Sequence, residues 1–148
     1  MTATLFVDTN VLLYARDSSE QRKQPLAREW LDVLWEHRCA RLSYQVLNEY
    51  YVAVTRKLRP GLEPNEARAD VRDLMAWRPV SPDEPLLEDA WGLESRFGLS
   101  YWDAQIVAAA RAAGCRYLLT EDLQHGQDLD GVTVMDPFVT PAADWTPE

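Results

Sequence analysis

Thr4-Leu5-Phe6-Val7-Asp8-Thr9-Asn10-Val11-Leu12-Leu13-Tyr14-Ala15 decides the reading of this chain. The first four residues form a short apolar run that reads as a buried strand. Asp8-Thr9-Asn10 is rich in helix-capping residue types, and the apolar segment from Val11 to Ala15 then reads as a helix. A strand that turns directly into a helix is the first half of a βαβ unit.

Working outward, the same alternation continues. Pro25 opens a helical pattern reaching about His37, with Leu26, Trp30, Val33 and Leu34 at helical spacing. Residues 41–43 are a weak strand. Residues 44–58 are helical and stop before Pro60-Gly61. Residues 64–75 are rich in helix formers. Residues 77–80 read as a short strand, weakened by Pro79. Residues 85–97 are helical, with Gly98 in the position of a C-terminal stop. Ser100 caps a helix over 101–113 that Gly114 closes. Residues 116–120 and 132–135 are strands, and 123–131 is expected to be a loop. Strands alternating with long helices imply an α/β fold with a parallel sheet covered on both faces.

Composition narrows the classes. The chain has 148 residues, enough for one domain with a sizeable core. The expected division is a domain over 1–136 and a loosely packed tail over 137–148. The net charge is −9, which argues against a protein that coats nucleic acid through Lys and Arg. It leaves room for a nuclease that brings phosphate in through metal ions. Cys39, Cys115, His37 and His125 show no zinc-ligand spacing, and two cysteines make no disulfide framework. No apolar run approaches the roughly 20 residues of a membrane span. No basic-then-apolar leader stands at the N-terminus, so a cytoplasmic location is expected.

Four acids carry the functional signal: Asp8, Glu49, Asp103 and Asp122. Ligands of parallel sheets bind beyond the carboxyl ends of the strands, where strand order reverses. Asp8 and Asp122 both belong to that edge. Each acid has a bland alternative. Asp8 could cap the first helix. Asp103, three residues after Ser100, imitates a capping box. Asp122 could serve a turn. Glu49 has Gln45, Val46, Val52 and Ala53 three and four positions away, so it is expected on an inward-leaning arc and in need of a partner, an Arg or a metal. Converging carboxylates repel in a low dielectric, and a divalent cation relieves this. Of Glu121 and Asp122, only one points easily into a common site, and Asp122 is preferred.

At this point a family resemblance is visible. Leu5-Phe6-Val7-Asp8-Thr9-Asn10-Val11-Leu12, Gln45-Val46-Leu47-Asn48-Glu49, Tyr101-Trp102-Asp103-Ala104 and Thr120-Glu121-Asp122-Leu123-Gln124-His125-Gly126 occur in this order. The chain resembles PIN-domain ribonucleases, and among them VapC-type toxins of toxin–antitoxin pairs, from Thr4 to about Val134. The resemblance implies a three-layer α/β/α sandwich with a five-stranded parallel sheet, cleavage of RNA with Mg²⁺ or Mn²⁺, a homodimer and a cognate antitoxin. It places the catalytic acids at Asp8, Glu49, Asp103 and Asp122, with Thr9, Asn10 and Thr120 as polar support. Asp8 and Asp103 are the expected direct metal ligands; Glu49 and Asp122 would act through water. Arg16, Arg22, Lys23 or Arg96 could hold the RNA backbone, although each also fits as surface charge. His125 could help a phosphate or simply belong to its loop. Two rival chemistries fit less well. An aspartyl phosphatase wants a second Asp where Asn10 stands, and a phospho-acceptor domain wants a Lys at the end of the 116–120 strand. A PIN-like scaffold without catalysis is the non-enzyme alternative.

Overall fold

The computed structural model describes residues 4–145. The order is β1 (Leu5–Val7), α1 (Thr9–Arg16), α2 (Lys23–His37), β2 (Ala40–Arg41), α3 (Tyr44–Arg56), α4 (Pro64–Leu74), α5 (Glu84–Phe97), α6 (Tyr101–Ala112), β3 (Tyr117–Leu119), β4 (Asp128–Leu129) and β5 (Val132–Met135). The six helices lie close to where their periodicity places them, with α2 starting at Lys23, two residues before Pro25. Ser43 and Ser100 accept from the backbone N–H of Val46 and Asp103, and Gly98 ends α5 in the left-handed region.

The sheet has five strands in the order β2-β1-β3-β5-β4. β1 pairs in parallel with both β2 and β3, and β3 with β5. Leu5, Phe6 and Val7 are all fully buried. Successive side chains of a strand point to opposite faces, so the sheet is covered on both sides, as the three-layer α/β/α reading requires. One helix group joins α1 to α2, α3 and α4, and the other joins α5 to α6, which packs on β3 and β5. The chain leaves β1 for β2 on one side and later returns to β3 on the other. The switch point therefore lies between the carboxyl ends of β1 and β3.

The fifth strand is not the one expected. Within residues 77–80, Trp77 ends a 3₁₀ turn over Met75–Trp77 and Val80 makes a single bridge to Ser43, because Pro79 has no N–H with which to continue a ladder. Instead β4 pairs antiparallel with β5 inside the segment read as a loop. Its turn is Asp130-Gly131, both with positive φ, 58° and 100°. An Asp-Gly pair of this conformation matches the strand twist of a two-residue hairpin. Gly131→Ala is expected to cost about 1 kcal/mol, the penalty of placing a Cβ in the left-handed region, readable as a lowered midpoint in urea.

Residues 137–145 of the tail lie against α1 and α2; residues 146–148 fall outside the described part. Trp30 is fully buried, and its Nε1–H is shared between the carbonyls of Pro137 and Thr140 at 3.2 and 3.0 Å. Trp145 packs on Trp30 with centroids 6.0 Å apart, and Phe138 meets Tyr14 edge-on at 5.3 Å. Both cysteines are free and buried. Burial pushes the Cys115 thiol up to about 11, which leaves it unreactive at neutral pH.

Candidate metal centre

At the carboxyl end of β1, Asp8 is 6% exposed. One oxygen, Oδ1, accepts from the Thr9 N–H at 2.7 Å and so caps α1. The other, Oδ2, accepts from the Thr120 hydroxyl at 2.8 Å. The capping and functional readings of Asp8 are thus compatible, because they use different oxygens. Burial is the main reason its carboxyl is pushed up to about 7; the hydrogen bonds from Thr120 and Thr9 pull it down, and the charges of Asp122 and Glu49 raise it.

Thr120, fully buried one residue beyond β3, is the hub. While its hydroxyl donates to Asp8, the same oxygen accepts from Asn10 Nδ2 at 3.0 Å and from the Asp122 N–H at 3.1 Å. Asn10 Nδ2 also reaches Asp122 Oδ2 at 3.0 Å and Asp8 Oδ2 at 3.5 Å. Four residues from the two ends of the chain thereby form one network at the switch point. Thr9 takes part through its backbone N–H, since its buried hydroxyl has no partner among the described residues.

Asp122 turns into the site and Glu121 away from it. The Glu121 carboxylate takes a hydrogen bond from the Tyr14 hydroxyl and pairs with Lys23 at 2.7 Å. Lys23 in turn lies over the rings of Tyr14 and Phe138. Partial burial raises the Asp122 carboxyl above its usual range, the Asn10 hydrogen bond opposes this, and Asp103 adds repulsion.

Glu49 and Asp103 face this network from α3 and α6. Glu49 is not on a buried arc: it is exposed, as is Val52, while Val46, Tyr50 and Ala53 turn inward. Val46 and Ala53 belong to the core, whereas Glu49 stands at the edge of that face, on the rim of the site. No Arg or Lys forms an ion pair with Glu49 among the described residues. Gln45 Nε2 donates to its Oε1 at 3.0 Å and to the Trp102 carbonyl at 3.3 Å, tying α3 to α6. The i to i+4 spacing of Gln45 and Glu49 was the available sequence signal for this tie. The protein mass behind Glu49 raises its carboxyl, Gln45 opposes this, and Asp103 and Asp122 repel it. Asp103 stands in the first turn of α6, its N–H capped by Ser100 at 3.2 Å, and its carboxylate accepts no hydrogen bond among the described residues.

The four basic residues expected to hold RNA have partners of their own. Arg16 grips Asp70 with two hydrogen bonds of 3.0 and 2.6 Å, Lys23 holds Glu121, Arg96 pairs with Asp130 at 3.3 Å, and Arg22 reaches the Phe138 carbonyl at 3.4 Å. His125 serves its loop: Nδ1 accepts from the Asp136 N–H at 3.0 Å. A groove of about 380 Å³ between α1, α2, α3 and α4 is lined by Leu12, Leu31, Trp35 and Tyr50, and none of the four acids borders it.

The donor set fits a hard divalent cation. It is all oxygen, three of the four acids have raised carboxyls, and Asn10 Oδ1 is buried without a hydrogen bond. Among the described residues no three acids, His or Cys are grouped tightly enough to hold an ion by direct contact alone.

The PIN domain family model matches residues 5–127, most of the chain. This chain belongs to the PIN domain family. No curated protein sequence gives a significant match. Solved structures do. VapC20 of Mycobacterium tuberculosis, a toxin that cleaves the sarcin–ricin loop, is 25% identical, with TM-score 0.62 over 80% of this chain and 92% of that one. FitAcB of Neisseria gonorrhoeae is 20% identical, with TM-score 0.65 over 91% and 99%. DNA-bound VapBC of Salmonella typhimurium is 17% identical, with TM-score 0.65 over 91% and 98%. In this PIN domain the four acids expected from the sequence thus comprise two within one hydrogen-bond network and two on the facing helices.

Proposed function

We propose that this PIN domain is an endoribonuclease that cuts RNA phosphodiester bonds with Mg²⁺ or Mn²⁺ and acts as the toxin of a toxin–antitoxin pair. The observation that carries the reading is the Asp8–Thr120–Asn10–Asp122 network at the switch point, with Glu49 and Asp103 opposite. The similar structures support the biological role: one is a toxin that cleaves the sarcin–ricin loop, another a toxin–antitoxin complex from Klebsiella pneumoniae.

When bound, a divalent ion here supplies a water of lowered pKa and polarises a phosphoryl oxygen. Asp8 and Asp103 would hold it directly. Glu49 and Asp122 would hold its waters and orient the one that attacks. Thr120 and Asn10 keep Asp8 and Asp122 from swinging apart. Asn10 is an amide that donates to both acids and cannot transfer a proton as a carboxylic acid would, which disfavours the phosphatase alternative.

The protein, freed of any partner, is expected to cut RNA in Mg²⁺ or Mn²⁺ and to stop in chelator. Cleavage that persists in chelator overturns the metal-dependent reading, and no cleavage of total RNA in either ion returns the scaffold alternative. The toxin role places the protein in the cytoplasm as a homodimer held by an antitoxin. A short reading frame for a DNA-binding protein beside this one, and light scattering of the purified protein, check those parts. Among the described residues no helix is long and apolar enough to cross a membrane.

A further inference from the structure

Trp102 precedes Asp103 in the first turn of α6. At 63% exposed it is the most solvent-accessible large apolar side chain among the described residues. A lone exposed indole is ordinary on a protein surface; what sets this one apart is its place beside Asp103. Its place is fixed on two sides. Its ring meets Tyr101 edge-on, centroids 5.3 Å apart at 68°, and the Tyr101 hydroxyl accepts from Gln105 Nε2 at 2.7 Å. Its carbonyl accepts from the same Gln45 amide that holds Glu49. The backbone of Trp102 is thus tied to the residue that holds Glu49, and the Tyr101 ring flanks the indole.

Charge points the same way. The chain carries a net charge of −9, and Arg16, Lys23 and Arg96 are already paired with acids. These three cations have less to give to a phosphate, and stacking offers affinity of another kind. Stacking of a base on an aromatic ring does not need a cation and tolerates any base.

We propose that Trp102 is a stacking platform that receives an unpaired RNA base next to the phosphate presented to the acids. This rests on the ribonuclease reading. The substrate it selects is single-stranded or looped RNA, whose bases are free to unstack, rather than a duplex.

The test uses full-length wild type, Trp102→Ala and Trp102→Phe with a fluorescein-labelled 12-mer single-stranded RNA. Anisotropy with Ca²⁺ in place of Mg²⁺ reads binding, and Mg²⁺ kinetics read kcat and KM. Trp102→Ala is expected to weaken binding about 5- to 150-fold, the range for losing one stacked base. KM should rise while kcat stays nearly constant, and Trp102→Phe should recover most of the loss. An RNA lacking one base should lose affinity for wild type but not for Trp102→Ala. Unchanged binding and KM in Trp102→Ala, while wild type still cuts, overturns the stacking proposal alone. So does a loss that accompanies a change of oligomeric state by light scattering, which would assign the indole to a protein interface. Wild type that binds through Trp102 yet never cuts keeps the platform and overturns the nuclease reading.

Discussion

Asp8→Asn is expected to abolish RNA cleavage and, in metal-free buffer at pH 8, to raise the melting temperature. The two effects have one cause. Asp8 is buried, and its carboxyl sits at about 7 against 3.8 for an ordinary Asp. Between those values the unfolded chain has lost the proton that the folded chain keeps. Stability therefore falls as pH rises through this window, and the full penalty of about 4 kcal/mol is present above the folded pKa. Below about pH 4 both states are protonated and the penalty vanishes. The Asn variant removes the charge but leaves the Thr120 hydroxyl without its acceptor, which returns roughly 1–3 kcal/mol. The net gain at pH 8 is about 1–3 kcal/mol, and roughly 2–4 °C accompanies each kcal/mol in a chain of this size. Mg²⁺ should raise the melting temperature of wild type more than that of the variant, because a cation that binds the folded carboxylates stabilises them by mass action. Activity should fall by more than the roughly 10–100-fold typical of losing a residue that only supports a metal ligand. Cleavage equal to wild type would dismiss Asp8 as a ligand. A metal-free variant less stable than wild type at pH 8 would show that burial does not destabilise its carboxylate.

Thr120→Val carries the second largest effect. The two side chains have nearly the same shape, so packing in the fully buried site is conserved. What is lost is the hydroxyl that serves Asp8, Asn10 and the Asp122 N–H together. Asn10 keeps its bond to Asp122, but Asp8 loses its 2.8 Å donor and the Asp122 N–H its acceptor, at a cost of about 1–3 kcal/mol readable in urea unfolding. The hydrogen bond from Thr120 is the largest influence pulling the Asp8 carboxyl down. Without it the pKa of Asp8 rises further, and the acid limb of the rate–pH profile moves to higher pH. A rate loss of roughly 10–100-fold is expected, since Thr120 supports the acids without replacing them. Thr120→Ser should restore both rate and profile. A valine variant with an unshifted profile would mean that the hydroxyl only fills space.

Much of this was legible along the chain. The strand–acid–helix segment at Asp8, the Ser100 cap, the Gly98 stop and the helical periodicities act over a few residues, and the local energetics there agree with the final fold. The Asp-Gly hairpin at Asp130-Gly131 was equally local, but the surrounding polar residues made the segment look like a loop. Glu49 shows a different difficulty. Apolar neighbours at helical spacing mark a face, but whether that face meets the core or borders a cleft depends on which element stands opposite.

By itself the sequence determined the α/β alternation and the family, and it singled out four acids as candidates, because propensity, caps and motif spacing are properties of nearby residues. Only the tertiary structure decided how those acids are held. Asn10 and Thr120, 110 positions apart, meet because β1 and β3 pair in parallel. That pairing selects Asp122 over Glu121 for the site, gives the second oxygen of Asp8 to Thr120, and occupies Lys23 with Glu121. Contacts of this length are closed by burial of the sheet, whose free energy is spread over the whole core and is not written at any one position.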